Sequence, residues 1–147
     1  MLNIVITLKI LKTIMTSIIK KAIISKKAPA PVGPYNQAVL VGNWIFCSGQ
    51  IALDPDSGLM TGAGDIEKET IQVLQNLIQV LNEAGGDTDD VVRTTIYLVD
   101  LKDFSKVNAI YERTFNKGIT PARACVEVSG LPKNAKVEID CIAFLKD

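Results

Sequence analysis

The chain has 147 residues, of which 48% are hydrophobic, with 16 basic and 16 acidic side chains and no histidine. That length suits one domain with a single core, and the missing histidine excludes Ser-His and Cys-His triads, histidine general bases and most transition-metal sites together. Six lysines (Lys9, Lys12, Lys20, Lys21, Lys26, Lys27) precede Ala28 and the first acid is Asp54, so residues 28–147 carry ten basic and sixteen acidic side chains, net −6; that balance argues against a binder of nucleic-acid phosphates, whose affinity rests on a cationic surface, and short of a local basic patch nucleic acid is not an expected partner.

Residues 1–17 form an N-terminal extension, apolar, basic and acid-free. Its apolar run is broken every few residues and is too short to span a bilayer, and no signal-peptide cleavage pattern follows it. A transit segment is one reading, against which stands the absence of arginine. From residue 18 to 147 we expect one domain. Residues 18–25 read as a first strand. Three prolines and a glycine within residues 26–34 make the next segment an irregular loop. Residues 37–41 and 44–48 are apolar runs split by Gly42-Asn43, which predicts a hairpin. Residues 54–64 are polar and glycine-containing, hence a loop.

The spacing of Ile66, Thr70, Val73, Leu74, Leu77, Ile78 and Leu81 predicts a helix over 65–84, capped by Asp65, favoured by Glu67 and Glu69 in its first turn, and stopped by Gly85-Gly86. Residues 91–99 alternate as a strand, with Val92, Thr94, Ile96 and Leu98 on one face. A second amphipathic helix is predicted over 104–115, and two strands over 122–128 and 135–145. The order β-β-β-α-β-α-β-β predicts an α+β fold in which both helices cover one face of a mixed sheet of about six strands. The other face then needs cover, so self-association is expected.

Arg123 stands at the start of one strand, and Glu138, fifteen residues on, lies within the next. Hydrophobic patterning places neither. A guanidinium grips a carboxylate through two parallel hydrogen bonds, and a nearby glutamate manages a water or a proton. Glu127 and Asp140 rival Glu138 on sequence alone, and both are expected to face solvent or a neighbouring chain. Cys47, Cys125 and Cys141 sit in apolar runs without disulfide or zinc spacing and read as buried, reduced thiols. No cofactor is indicated, metal or organic; Gly62-Ala63-Gly64 has neither the lysine nor the spacing of a phosphate loop.

Pro121-Ala122-Arg123, Leu131-Pro132-Lys133 and Val137-Glu138-Ile139 resemble the signature of the Rid family of reactive-intermediate deaminases, also called YjgF-type or L-PSP proteins. Gly33-Pro34-Tyr35-Asn36-Gln37, Cys47-Ser48-Gly49-Gln50 and Phe104-Ser105-Lys106-Val107-Asn108 extend the resemblance over residues 18–147. It implies a chorismate-mutase-like fold, a homotrimer with active sites in clefts between subunits, and cofactor-independent hydrolysis of 2-iminobutanoate and 2-iminopropanoate to 2-oxo acids and ammonia. These imines would come from pyridoxal-phosphate-dependent dehydratases. The resemblance further implies that Arg123 binds the substrate carboxylate and Glu138 positions the attacking water. Tyr35, Ser48, Gly49, Asn108 and Cys125 would line the cleft, the cysteine as a binding position and not a nucleophile. It leaves open an endoribonuclease or translation-inhibitor activity, and a non-catalytic ligand-binding or chaperone-like role. Because such proteins commonly begin just before the first strand, Met15 is a second candidate start; the expected location is cytoplasmic, or organellar if the extension is a transit segment.

Overall fold

A computed structural model of the protein describes residues 19–146; the extension read from residues 1–17 lies outside them. Six strands form one sheet: β1 (Lys20–Ile23), β2 (Ala38–Val41), β3 (Trp44–Gln50), β4 (Val91–Leu98), β5 (Ala122–Glu127) and β6 (Val137–Phe144). Among the described residues two α-helices, α1 (Ile66–Glu83) and α2 (Phe104–Thr114), complete the order anticipated from the sequence.

Local chemistry explains the elements. Gly42 adopts φ 57° in the two-residue turn between β2 and β3, a conformation that costs glycine nothing. The Asp65 carboxylate accepts hydrogen bonds from the backbone N–H groups of Glu67 and Lys68 at 3.1 and 3.2 Å, satisfying donors that the first turn of α1 leaves open. The helix ends where Gly85 enters the left-handed region, φ 89°. Ile66, Thr70, Val73, Leu74, Leu77, Val80 and Leu81 are buried on its inner face, and Ile78 is only half-buried at the margin.

The sheet order is β1-β2-β3-β6-β4-β5, antiparallel throughout except for the parallel pair β4–β5, whose crossover is α2. α1 lies over β3 and β6 and packs against α2, so both helices share one face. Register pairs run straight across the sheet from Ile23 through Ala38, Cys47, Cys141 and Thr94 to Arg123. All but the last are buried beneath the helices. A parallel row runs from Val126 through Tyr97 to Glu138. Because side chains alternate along a strand, this second row points to the opposite face.

That opposite face is open. Trp44 (42% exposed), Phe46 (47%), Phe144 (41%) and Val126 (41%) stand on it, with Trp44 and Phe144 in edge-to-face contact at 4.9 Å.

Two sequence expectations need correction. Val92 is not on the buried face of β4: the register shifts between Val91 and Arg93, so a bulge puts Val91 in the core and leaves Val92 exposed. Of the three cysteines, Cys47 and Cys141 are buried, but Cys125 is only half-buried, because β5 is an edge strand.

Candidate functional site

Arg123 is the last residue of the row beneath the helices, at the edge of the sheet. Its register partner Thr94 hydrogen-bonds the Tyr111 hydroxyl at 2.7 Å, which fixes the Tyr111 ring against the sheet. The Arg123 guanidinium lies over that ring, 4.8 Å from its centroid, and 5.6 Å from the Phe104 ring. One Nη donates to Asn108 Oδ1 at 2.8 Å. The α2 positions 104, 108 and 111 thus follow the three- and four-residue spacing that places them on one helix face. They cradle the cation on two sides. Arg123 is exposed and has no ion-pair partner among the described residues; it lines a cleft of about 370 Å³ with Asn108, Tyr111, Glu112 and Pro121.

Glu138 stands elsewhere. Tyr35, Ser48, Gly49 and Glu138 line a second cleft, of about 350 Å³, walled by the loop from Pro29 to Val32 and by Pro132. The register between β3 and β6 shifts after Cys47, where Ser48 and Gly49 together fill the space of one residue before Gln50 pairs with Ile139. This bulge brings the Gly49 backbone against Glu138; a Cβ at position 49 would sit 2.7 Å from the Glu138 carboxyl carbon. Burial, and then the nearby Asp140 carboxylate, pushes the Glu138 carboxyl above its ordinary range.

The predicted residues therefore fall into two groups on one protomer: Arg123 and Asn108 at the helix-side edge, and Tyr35, Ser48, Gly49 and Glu138 in the second cleft. Cys125 lines neither cleft. It follows Arg123 on the same face of β5, and burial raises its thiol while the Arg123 charge opposes the rise. Arg123 and Glu138 lie on opposite faces of one sheet, so within a single chain they do not converge on one small molecule.

The rivals of Glu138 have other occupations. Glu127 accepts the Leu101 N–H at 2.8 Å, and Asp140 accepts the Tyr97 hydroxyl at 3.0 Å.

Three buried polar residues outside the predicted set shape the site. The Gln37 side chain accepts from Ser25 N at 2.6 Å and donates to the carbonyls of Ser25, Ala28 and Pro29, which pins the proline-rich wall of the second cleft. Asn76 donates to the carbonyls of Ile51 and Leu53 at 3.1 and 2.8 Å, just beyond the bulge. Glu69 accepts from Gly64 N at 2.8 Å and from Lys136 N at 2.7 Å, two residues before Glu138. Each satisfies backbone groups that burial would otherwise leave unpaired. For Glu69 and Asn76 the signal in the sequence is slight, a polar residue on an otherwise apolar helix face; Gln37 lies within the Gly33–Gln37 motif, but nothing local marks it as the anchor of the loop.

The family described as Endoribonuclease L-PSP matches residues 25–145. A RutC family protein of Synechocystis is 52% identical over 125 residues, covering 85% of this chain and 96% of its own. The mouse 2-iminobutanoate/2-iminopropanoate deaminase is 49% identical over 129 residues, covering 88% of this chain and 94% of its own. The crystal structure of Escherichia coli TdcF with bound serine superposes with a TM-score of 0.82 at 34% identity, covering 86% of this chain and 99% of that one. With the family matched over nearly the whole described chain and the fold shared with solved YjgF and Rid proteins, this protein belongs to the L-PSP family, also known as the Rid or YjgF family.

Proposed function

We propose that the protein hydrolyses small 2-imino acids, 2-iminobutanoate and 2-iminopropanoate with their enamine tautomers, to 2-oxo acids and ammonia. The observation that carries this reading is the Arg123 guanidinium: exposed, oriented by Asn108 and Tyr111, and without a carboxylate partner among the described residues. Such a group is preorganised for the carboxylate of a substrate. The relative named as a deaminase and the relative solved with serine both accord with an α-carboxylate ligand.

Because Arg123 and Glu138 occupy opposite faces, the reading requires that they meet across a boundary between two copies, and the apolar open face supplies a reason for copies to associate. A homotrimer, as the family resemblance implies, satisfies this if the Arg123 edge of one protomer closes over the Glu138 cleft of its neighbour.

In the proposed reaction Arg123 fixes the carboxylate and draws electron density from carbon 2. Glu138, as a carboxylate, takes a proton from water as the water oxygen bonds to carbon 2 and the C=N π pair moves onto nitrogen; it returns that proton to nitrogen, giving a neutral tetrahedral carbinolamine. Glu138 then takes the hydroxyl proton and delivers it to nitrogen. The C–N bond breaks as the C=O bond forms, and ammonia leaves. The substrate is reactive already, so placement and charge complementarity provide most of the acceleration. Pyridoxal-phosphate-dependent dehydratases are the proposed source of substrate.

The test is ammonia release from imine generated by a dehydratase. The expected result is rapid release with the parent protein and near-background release with Arg123→Ala; equal rates would end the assignment. The second reading is RNA cleavage, which the family's name favours. RNA cleavage that survives exhaustive purification and disappears in Arg123→Ala, together with no imine hydrolysis, would establish it instead.

A further inference from the structure

We propose that Asp140, held in place by Tyr97, is a positioning residue that sets the protonation state Glu138 presents to substrate. This rests on the reading of Glu138 as the proton-handling group. Tyr97 is the register partner of Glu138 across β4 and β6, and Asp140 lies two residues along β6 on the same face. The Tyr97 hydroxyl donates diagonally across the strand pair to Asp140 Oδ2 at 3.0 Å. Burial first, and then this bond, raises the Tyr97 phenol, so it stays protonated and remains a donor.

The pair is asymmetric. Asp140 has a committed donor, whereas no hydrogen-bond donor among the described residues reaches Glu138, and neither carboxylate has an ion-pair partner among them. Among the described residues the titratable groups facing Glu138 are Asp140 on its own strand, Tyr97 from β4 and Tyr35 from the cleft loop; β3 brings the uncharged Ser48, Gly49 and Gln50. Among the described residues no cation pairs with either acid. Glu138 lacks among them the donor that Asp140 has, so the negative charge that Tyr97 anchors beside it adds to burial in keeping its proton to higher pH.

The experiment is a carbon-detected NMR titration of the Glu138 carboxyl in the full chain, parent and Asp140→Asn, alongside the pH profile of kcat/KM. Asparagine keeps the shape and an acceptor for Tyr97 but removes the charge. The Glu138 midpoint is expected to fall in D140N while staying above the ordinary range, because burial is the larger cause; the acidic limb of the profile should fall with it. An unchanged midpoint overturns the proposal. A midpoint that falls while the acidic limb stays fixed leaves the coupling intact but overturns its catalytic consequence, and removes Glu138 from the reaction. Asp140→Ala, which also removes the charge, gives the same test if D140N does not fold.

Discussion

Gly49 gives the sharpest test of how the second cleft is built. Its backbone is not in the left-handed region, so an alanine there meets no conformational penalty of its own. The obstacle is Glu138. A Cβ at position 49 would lie 2.7 Å from its carboxyl carbon and 2.9 Å from Cγ. Carbon atoms prefer about 3.5 Å or more, so the carboxyl must retreat by about 0.8 Å. Overpacking of this kind costs about 1–3 kcal/mol, and the low end applies because the displaced atoms are the tip of a flexible, half-buried side chain. A catalytic group misplaced by about 1 Å loses roughly 100-fold in rate. Gly49→Ala is thus expected to lower kcat/KM for imine hydrolysis roughly 100-fold while lowering Tm only modestly. The decisive arm is the double mutant. With Glu138→Ala in the background the clash is gone, so adding G49A should cost no further activity or stability. If G49A destabilises the E138A protein as much as the parent, the conflict lies elsewhere and the account of the bulge is wrong.

Arg123→Lys keeps the charge but loses the planar fork; with hydrogen bonds to charged groups at about 1.5–3 kcal/mol, kcat/KM should fall roughly 10- to 100-fold, and a lysine enzyme as fast as the parent would show that bidentate geometry is not used. Because folding raises the Glu138 carboxyl through burial and then Asp140, the folded protein holds that proton where the unfolded chain has released it. This contribution to stability is complete below the ordinary carboxylate pKa and is lost as pH rises through the raised value, so Glu138→Gln should raise Tm at neutral pH and leave it unchanged in acid; the opposite trend in a melting series would refute the burial argument. Phe46→Glu puts a charge on the open apolar face and is expected to reduce the sedimenting mass to that of a monomer, whereas an unaltered mass would place the contact between copies elsewhere. Burial holds the Cys125 thiol up despite Arg123, so alkylation followed by mass spectrometry should find it slower than a free thiol at neutral pH; faster labelling would mean an activated thiolate.

The elements and their order are legible in the linear chain. Period-3.6 burial in Ile66, Val73, Leu77 and Leu81, the Asp65 cap and the Gly42-Asn43 turn are local signals, written within a few residues of the structure they cause. The linear chain also shows which side chains are candidates, since Arg123 and Glu138 interrupt apolar strands and fall within motifs. Which way those side chains point follows from strand pairing in the folded chain. A one-residue change of register turns a strand over, and the bulges at Val92 and at Ser48-Gly49 are such changes; they arise from pairing with distant strands and leave no local mark. The same holds for Gln37, Glu69 and Asn76, whose backbone partners lie 8–12, 5 and 67, and 23–25 residues away. Sheet parity separates Arg123 from Glu138 onto opposite faces, because facing direction depends on the count of residues across every paired strand, and that count exists only once the chain has folded.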